Sequence, residues 1–276
     1  LYMDIKAFKM DGLGNDFVII DQRIQQLDLT KDQIIKICDR NYIGCDQLIL
    51  IKKNRKIDAG LEFYNSDGSI SGACGNGTRC VADFLAKESN KKEIILWTSG
   101  GTLKSKILGN NTVETEIGVA KTNWDEIPLS KNLDTKNLKI KIIDKNNNEH
   151  IGGTAINVGN PHIIFFINEI ENFDLKKIGP EIESHKLFPK KCNVTLAKIV
   201  NKNLIRVKVW ERGAGLTKAC GTAACATAVA GYINGLVEKK TDIEFKLGKL
   251  SILIDEKNSI YMKGPVSNIK KIEIKL

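Results

Sequence analysis

Two cysteines stand in nearly the same setting. Ala73-Cys74-Gly75-Asn76-Gly77-Thr78-Arg79-Cys80 is echoed 146 residues later by Ala219-Cys220-Gly221-Thr222-Ala223-Ala224-Cys225. In each copy a Cys-Gly pair separates a strand-like run from a helix-like run, which puts the thiol at a helix N-terminus. There, unpaired backbone N–H groups and the positive end of the helix dipole favour thiolate over thiol. A single thiolate serves as a nucleophile, a redox sensor or a metal ligand, and none of these roles needs a duplicate. Two equivalent acid/base groups suit a reaction of near-mirror symmetry, in which one removes a proton from a carbon and the other returns a proton to the opposite face. The pair therefore points to racemisation or epimerisation, with Cys74 and Cys220 exchanging roles when the direction reverses.

Removing a proton next to a carboxylate builds negative charge, which the N–H groups of Gly75, Asn76, Gly221 and Thr222 are placed to meet. Matched offsets supply the other candidates. Nine residues before each cysteine stands Asn65 or Glu211, and twenty-seven before stands Gln47 or Asn193. Gly14-Asn15-Asp16-Phe17 and Gly159-Asn160-Pro161-His162 each lead into an apolar run, with Asn15 59 residues and Asn160 60 residues before its cysteine. Arg212 offers a planar fork to an anionic group, and His162 and Glu211 stand where they could tune a thiol pKa. Gly12-Leu13-Gly14 lacks the third glycine and following helix of a dinucleotide fingerprint. No phosphate loop or metal-ligand spacing is present, so we expect neither cofactor nor metal.

These offsets define the architecture. A repeat of this length exceeds any solenoid unit, so the chain reads as two pseudo-symmetric α/β (α+β) domains produced by duplication. We place them at 1–121, completed by a last strand at about 267–276, and at 122–266. Ile5 to Phe8, Phe17 to Ile20, Leu48 to Ile51 and Leu61 to Tyr64 read as strands. Thr30 to Cys38 reads as a helix capped by Thr30, with Ile34, Ile35 and Cys38 on one face. Short strands with turns follow from Ile94 to Val119, and Lys121 to Asp134 crosses into the second unit. There Leu138 to Ile143 alternates, as do Ile205, Val207 and Val209. The helix after Cys220, with Ala223, Ala224, Ala226, Ala228 and Ala230, has little polar face and should be buried all round by strands, ending near Asn234-Gly235. Cys38, Cys45 and Cys80 read as core.

The 276 residues are 42% hydrophobic and 27% charged, enough for a core in each half. Seven cysteines without a C-x-x-C pair fit reduced thiols rather than a disulfide framework or zinc ribbon. The net charge of +9 invites a nucleic-acid reading. The lysines, however, are scattered through segments such as Lys131 to Asn148 and are not interleaved with aromatic residues, as expected of a solvated surface. No secretory signal and no apolar run near the roughly 18 residues of a membrane span occur. We expect a soluble, cytoplasmic protein with no membrane or nucleic-acid partner, its natural start at Met3.

Gly12 to Phe17, Asn65-Ser66-Asp67-Gly68-Ser69 through Cys80, Gly159 to His162, and Glu211-Arg212-Gly213-Ala214-Gly215 through Thr222 closely resemble the diaminopimelate epimerase family, over essentially the whole chain. The resemblance implies a cofactor-independent, two-base interconversion of LL- and meso-diaminopimelate in lysine and peptidoglycan-precursor synthesis, by a homodimeric cytoplasmic enzyme. It also implies domains that are each a strongly curved, mixed, mainly antiparallel sheet around a central helix, with the active site in the cleft between them. Carried over by motif, Cys74 and Cys220 are the two bases, and the amides after each bind the reacting carboxylate. Asn15, Gln47, Asn65, Asn160, Asn193, Glu211 and Arg212 contact substrate, the distal carboxylate falling to Arg212 and neighbouring asparagines. His162 and Glu211 adjust the thiol pKa values. The family usually has His at Asp11, Glu at Leu216 and Gly at Ala223, and none of these departures removes a catalytic group. Three alternatives are a proline or hydroxyproline racemase on the same scaffold, whose substrate would leave Arg212 and Asn65 without a partner, a basic nucleic-acid-binding protein, and a redox switch joining Cys74 to Cys220.

Overall fold

Val18-Ile19-Ile20 and Leu48 to Ile51 are apolar at every position, as strands buried on both faces must be. The structure, a computed structural model, describes residues 4–72 and 74–276; Met3 and Ala73 lie outside them. The apolar runs form β2 (Asn15–Asp21) and β3 (Gln47–Lys52), which pair in parallel with Phe17 opposite Gln47. Parallel neighbours need a crossover, and α1 (Lys31–Cys38) supplies it. Thr30 caps α1 through a reciprocal box with Gln33. The expected face differs by one residue. Ile34, Ile37 and Cys38, at i, i+3 and i+4, pack onto Val18, Ile20, Leu48 and Leu50, whereas Ile35 falls a third of a turn away and is exposed.

The opposite sheet face holds the central helix. β1 (Asp4–Gly12) forms a hairpin with β2 through Leu13-Gly14, both at positive φ. β4 (Ala59–Asn65) runs antiparallel to β3, β5 (Ile70–Ser71) antiparallel to β4, and β6 (Glu93–Thr98) parallel to β4. β7 (Gly101–Gly109) and β8 (Thr112–Val119) follow as antiparallel strands. Phe17, Ile19, Ile49, Ile51, Leu61 and Phe63 enclose α2 (Gly75–Ser89), which also meets β1, β6 and β7. Asn76 through Ala86 are all buried, so the sheet curves around the helix.

The second unit repeats this order. After β9 (Ile140–Ile143) and β10 (Glu149–Gly152), a separate ribbon, come β11 (Thr154–Asn157), β12 (Pro161–Phe166), α3 (Leu175–Glu183), β13 (Asn193–Asn201), β14 (Leu204–Glu211), β15 (Gly215–Thr217), α4 (Gly221–Ile233), β16 (Lys240–Phe245) and β17 (Gly248–Ile254). The pairings match one for one: β12 with β13 parallel, β13 with β14 and β14 with β15 antiparallel, β14 with β16 parallel, β16 with β17 antiparallel. Gly179 and Pro180, both poor helix formers, hide α3 from a reading of residue order alone. The glycine is required there, since a Cβ at 179 would lie 2.6 Å from Trp210 Cγ. α4 is buried from Ala223 through Gly231.

After β18 (Ser259–Pro265), β19 (Lys270–Lys275) pairs antiparallel with β1, Ile5 opposite Ile274. The chain divides into Leu1–Glu116 with Lys263–Leu276, and Ile117–Met262. Among the described residues, no helix is long and apolar enough to cross a membrane.

Candidate active site

Strand periodicity gathers the polar candidates. Side chains two apart share a face, so Asn15, Gln47 and Asn65 point the same way as Phe17, Ile49 and Phe63, toward α2. β2 and β3 begin, and antiparallel β4 ends, at the same edge of the sheet, which brings these three residues to the end where α2 starts. The same parity puts His162, Asn193 and Glu211 on the α4 side, opposite to Ile163, Phe165, Val194 and Leu196, which pack with α3.

The two thiols are helix N-caps. Cys74 has φ −137° and ψ 114°, and its Sγ accepts from Gly77 N–H at 3.4 Å. Cys220 has φ −143° and ψ 116°, and its Sγ accepts from Ala223 N–H at 3.4 Å. The N–H groups of Gly75, Asn76, Gly221 and Thr222 belong to first turns, where no helical acceptor exists. Gly77 is tightly enclosed: a Cβ there would lie 2.8 Å from Ile49 Cδ1 and 3.0 Å from Phe63 Cε1. Its counterpart Ala223 carries a methyl. The cross-strand pair Ile49–Phe63 is replaced in the second unit by Thr195–Val209, whose shorter side chains make room for it.

In the first unit, Asn15 Oδ1 lies 3.6 Å from Cys74 Sγ and accepts from Asn76 Nδ2 at 3.4 Å. Arg79, fully buried, holds Asn76 Oδ1 at 2.8 Å. Gln47 Nε2 donates to Asn65 Oδ1 at 3.0 Å, and Asn65 Nδ2 donates to Ser69 Oγ at 3.1 Å. One participant was not anticipated: Asp46 Oδ2 accepts from Asn15 Nδ2 at 3.0 Å. Its counterpart by offset is Cys192, so the repeat could not reveal it.

In the second unit, His162 Nε2 lies 2.8 Å from Asn160 Oδ1, Asn160 Nδ2 donates to Thr222 Oγ1 at 3.4 Å, and Thr222 Oγ1 lies 3.5 Å from Cys220 Sγ. Burial, with the Arg212 charge adding, pulls the His162 pKa down to about 3. The ring is therefore neutral, with Nε2 donating to Asn160, while Nδ1 has no hydrogen-bond partner among the described residues. Any influence of His162 on Cys220 thus travels through Asn160 and Thr222 and not as a charge. Asn193, buried, joins the Pro161 carbonyl at 3.0 Å to Arg212 N–H at 2.9 Å. Arg212 is exposed, its Nη1 donating to the Lys190 carbonyl at 2.9 Å.

One expectation is corrected. The helix N-terminus was expected to favour thiolate at both cysteines, but burial pushes the Cys220 pKa well up, and the charge and hydrogen bond of Glu211 push it further. Thr222 and the Ala223 N–H oppose this only in part. A helix end contributes at most about 2 kcal/mol, less than the cost of an uncompensated buried charge. Cys220 therefore holds its proton beside Glu211 and stands as the thiol of the pair.

The sequence profile described as diaminopimelate epimerase matches residues 7–123 and 154–269, one stretch in each half. A diaminopimelate epimerase of Pelagibacter ubique is 78% identical over 99% of this chain and 100% of its own. That of Acidiphilium cryptum is 39% identical over 96% of this chain and 95% of its own. Among solved structures, a hydroxyproline epimerase from Agrobacterium vitis shares the fold, with TM-score 0.69 at 11% identity over 98% of this chain and 91% of that one.

Proposed function

Because the chain belongs to the diaminopimelate epimerase family, a family of isomerases, we propose that it interconverts LL- and meso-diaminopimelate in lysine and peptidoglycan-precursor synthesis. The chemistry is proton transfer at the α carbon without a cofactor. One cysteine, as thiolate, removes the α proton; the charge spreads into the adjacent carboxylate, and the other cysteine, as thiol, delivers a proton to the opposite face. The reaction requires both Cys74 and Cys220 to reach one carbon. The observation that carries this reading is their shared N-cap geometry, which sets each thiol beside first-turn amides able to hold that carboxylate.

In this reading the amides of Gly75, Asn76, Gly221 and Thr222 bind the reacting carboxylate. Asn15, Gln47, Asn65, Asn160, Asn193, Glu211 and Arg212 form the remainder of the substrate site, Arg212 meeting the distal carboxylate. His162 and Glu211 set the acidity of the thiols, Glu211 through its hydrogen bond to Cys220. The two duplicated domains, expected at 1–121 with about 267–276 and at 122–266, correspond to the units Leu1–Glu116 with Lys263–Leu276 and Ile117–Met262, whose bounds lie four or five residues earlier; the enzyme is a cytoplasmic homodimer. The test is solvent deuterium incorporation into diaminopimelate in heavy water, with proline as the control. Wild-type enzyme should label diaminopimelate only, and Cys74→Ala and Cys220→Ala should each lose at least about 10²-fold in epimerisation. Undiminished turnover in either variant defeats the two-base reading.

A further inference from the structure

Asp46 lies outside every matched motif, yet it decides which way the Asn15 carboxamide faces. A carboxylate can only accept hydrogen bonds. Asp46 Oδ2 is 3.0 Å from Asn15 Nδ2 and also accepts from Asp16 N–H at 3.2 Å. With its NH₂ committed there, Asn15 must turn its carbonyl oxygen to Cys74 Sγ and Asn76 Nδ2. We propose that Asp46 is a positioning residue which, by holding Asn15 Nδ2, fixes an acceptor against the Cys74 thiol.

Asp46 is itself anchored. Arg40 Nη2 donates to Asp46 Oδ1 at 2.6 Å and to Asp16 Oδ1 at 2.8 Å, and Arg40 Nη1 donates to Asp16 Oδ2 at 2.6 Å. Asp46 N–H returns to Asp16 Oδ1 at 3.0 Å, and Lys9 Nζ lies 3.8 Å from Asp16 Oδ2. The carboxylate of Asp46 is therefore held by groups from the hairpin and from the loop after α1. On the helix side, Arg79 Nη2 donates to Asn76 Oδ1 at 2.8 Å, and the charges of Arg79, Asp11 and Asp83 act on Cys80 in the following turn.

The fixed orientation has a chemical direction. A carbonyl oxygen facing sulfur stabilises S–H, which can donate to it, and repels the thiolate, which cannot. Were the amide reversed, its NH₂ would donate to the thiolate and stabilise that form instead. Asp46 thus holds Cys74 toward its protonated state until substrate arrives. The proposal takes from the preceding reading only that Cys74 transfers protons.

The experiment follows alkylation of Cys74 by iodoacetamide against pH, read by mass spectrometry of the Cys74 peptide, so it needs no epimerase activity. Asp46→Asn frees the Asn15 amide to reverse, and the reaction midpoint should move to lower pH. Below the midpoint the rate should rise of the order of tenfold, the size of one neutral hydrogen bond. Asn15→Ala, which removes the carbonyl, should move it the same way. Asp46→Asn added to Asn15→Ala should produce no further shift. A shift of equal size with and without the Asn15 carboxamide means that Asp46 acts only through its charge, and overturns the proposal. A second measurement does not depend on any variant folding: in the wild-type chain, the Asn15 side-chain NH₂ should show nuclear Overhauser contacts to the Asp16 amide. Contacts to the Cys74 methylene instead would reverse the assigned orientation.

Discussion

Gly77 lies directly under Ile49, with 2.8 Å between a Cβ built on the glycine and Ile49 Cδ1. The first turn of α2 is thereby pressed against the sheet, and Cys74 is held at its edge.

Gly77→Ala should accordingly cost about 1–3 kcal/mol through overpacking, measured by denaturant unfolding. Pairing it with Ile49→Thr, which copies the second unit's Thr195, should recover part of that loss. Strict additivity of the two changes would show that Ile49 is not the obstacle.

Alkaline stability follows from buried thiols. Burial pushes Cys80, Cys192 and Cys220 above the ordinary thiol range. A raised pKa means the folded state keeps a proton that the unfolded chain releases. The stabilisation is complete below the unfolded value of about 8.5 and is lost as pH climbs toward the raised folded values. Unfolding midpoints should therefore fall steadily above about pH 8.5, and Cys192→Ala should flatten that decline.

The opposite sign holds for His162, whose pKa is depressed to about 3 by burial and by Arg212. Its contribution is present above the unfolded value of about 6.5 and is lost as pH falls from there toward 3. Within that window it adds a slope of about 1.4 kcal/mol per pH unit. His162→Gln, which keeps a donor for Asn160 without a titrating ring, should remove that part of the slope in acid unfolding curves.

Glu211→Gln should make Cys220 more acidic, because the charge that helps hold the proton on sulfur is gone. The readout is the ultraviolet thiolate absorbance that Cys220→Ala lacks, followed against pH. An unchanged or higher midpoint would separate Glu211 from the acidity of Cys220.

The sequence displayed the duplicated cysteines, the strand residues that align with them and the fully buried α4, because cysteine offsets and period-two patterning register directly in the order of residues. Three features were hidden, each for a physical reason. The Asp46 contact arises from chain segments meeting in space and has no partner in the repeat. α3 is stabilised by Trp210 packing against Gly179, which outweighs the helix-breaking character of Gly179-Pro180. The high pKa of Cys220 reflects how deeply its helix end is enclosed, a property of depth and not of spacing.

The pairing of Ile5 with Ile274 sets an order on biosynthesis. The N-terminal half reaches the ribosome exit first, yet its sheet lacks the strand beside β1 until Lys270–Lys275 emerge, whereas the second unit, Ile117–Met262, is contiguous and made before then. The half made later is thus the one able to fold first, and a nascent chain stalled before β19 would display β1 as an unprotected edge, open to pairing with a neighbour.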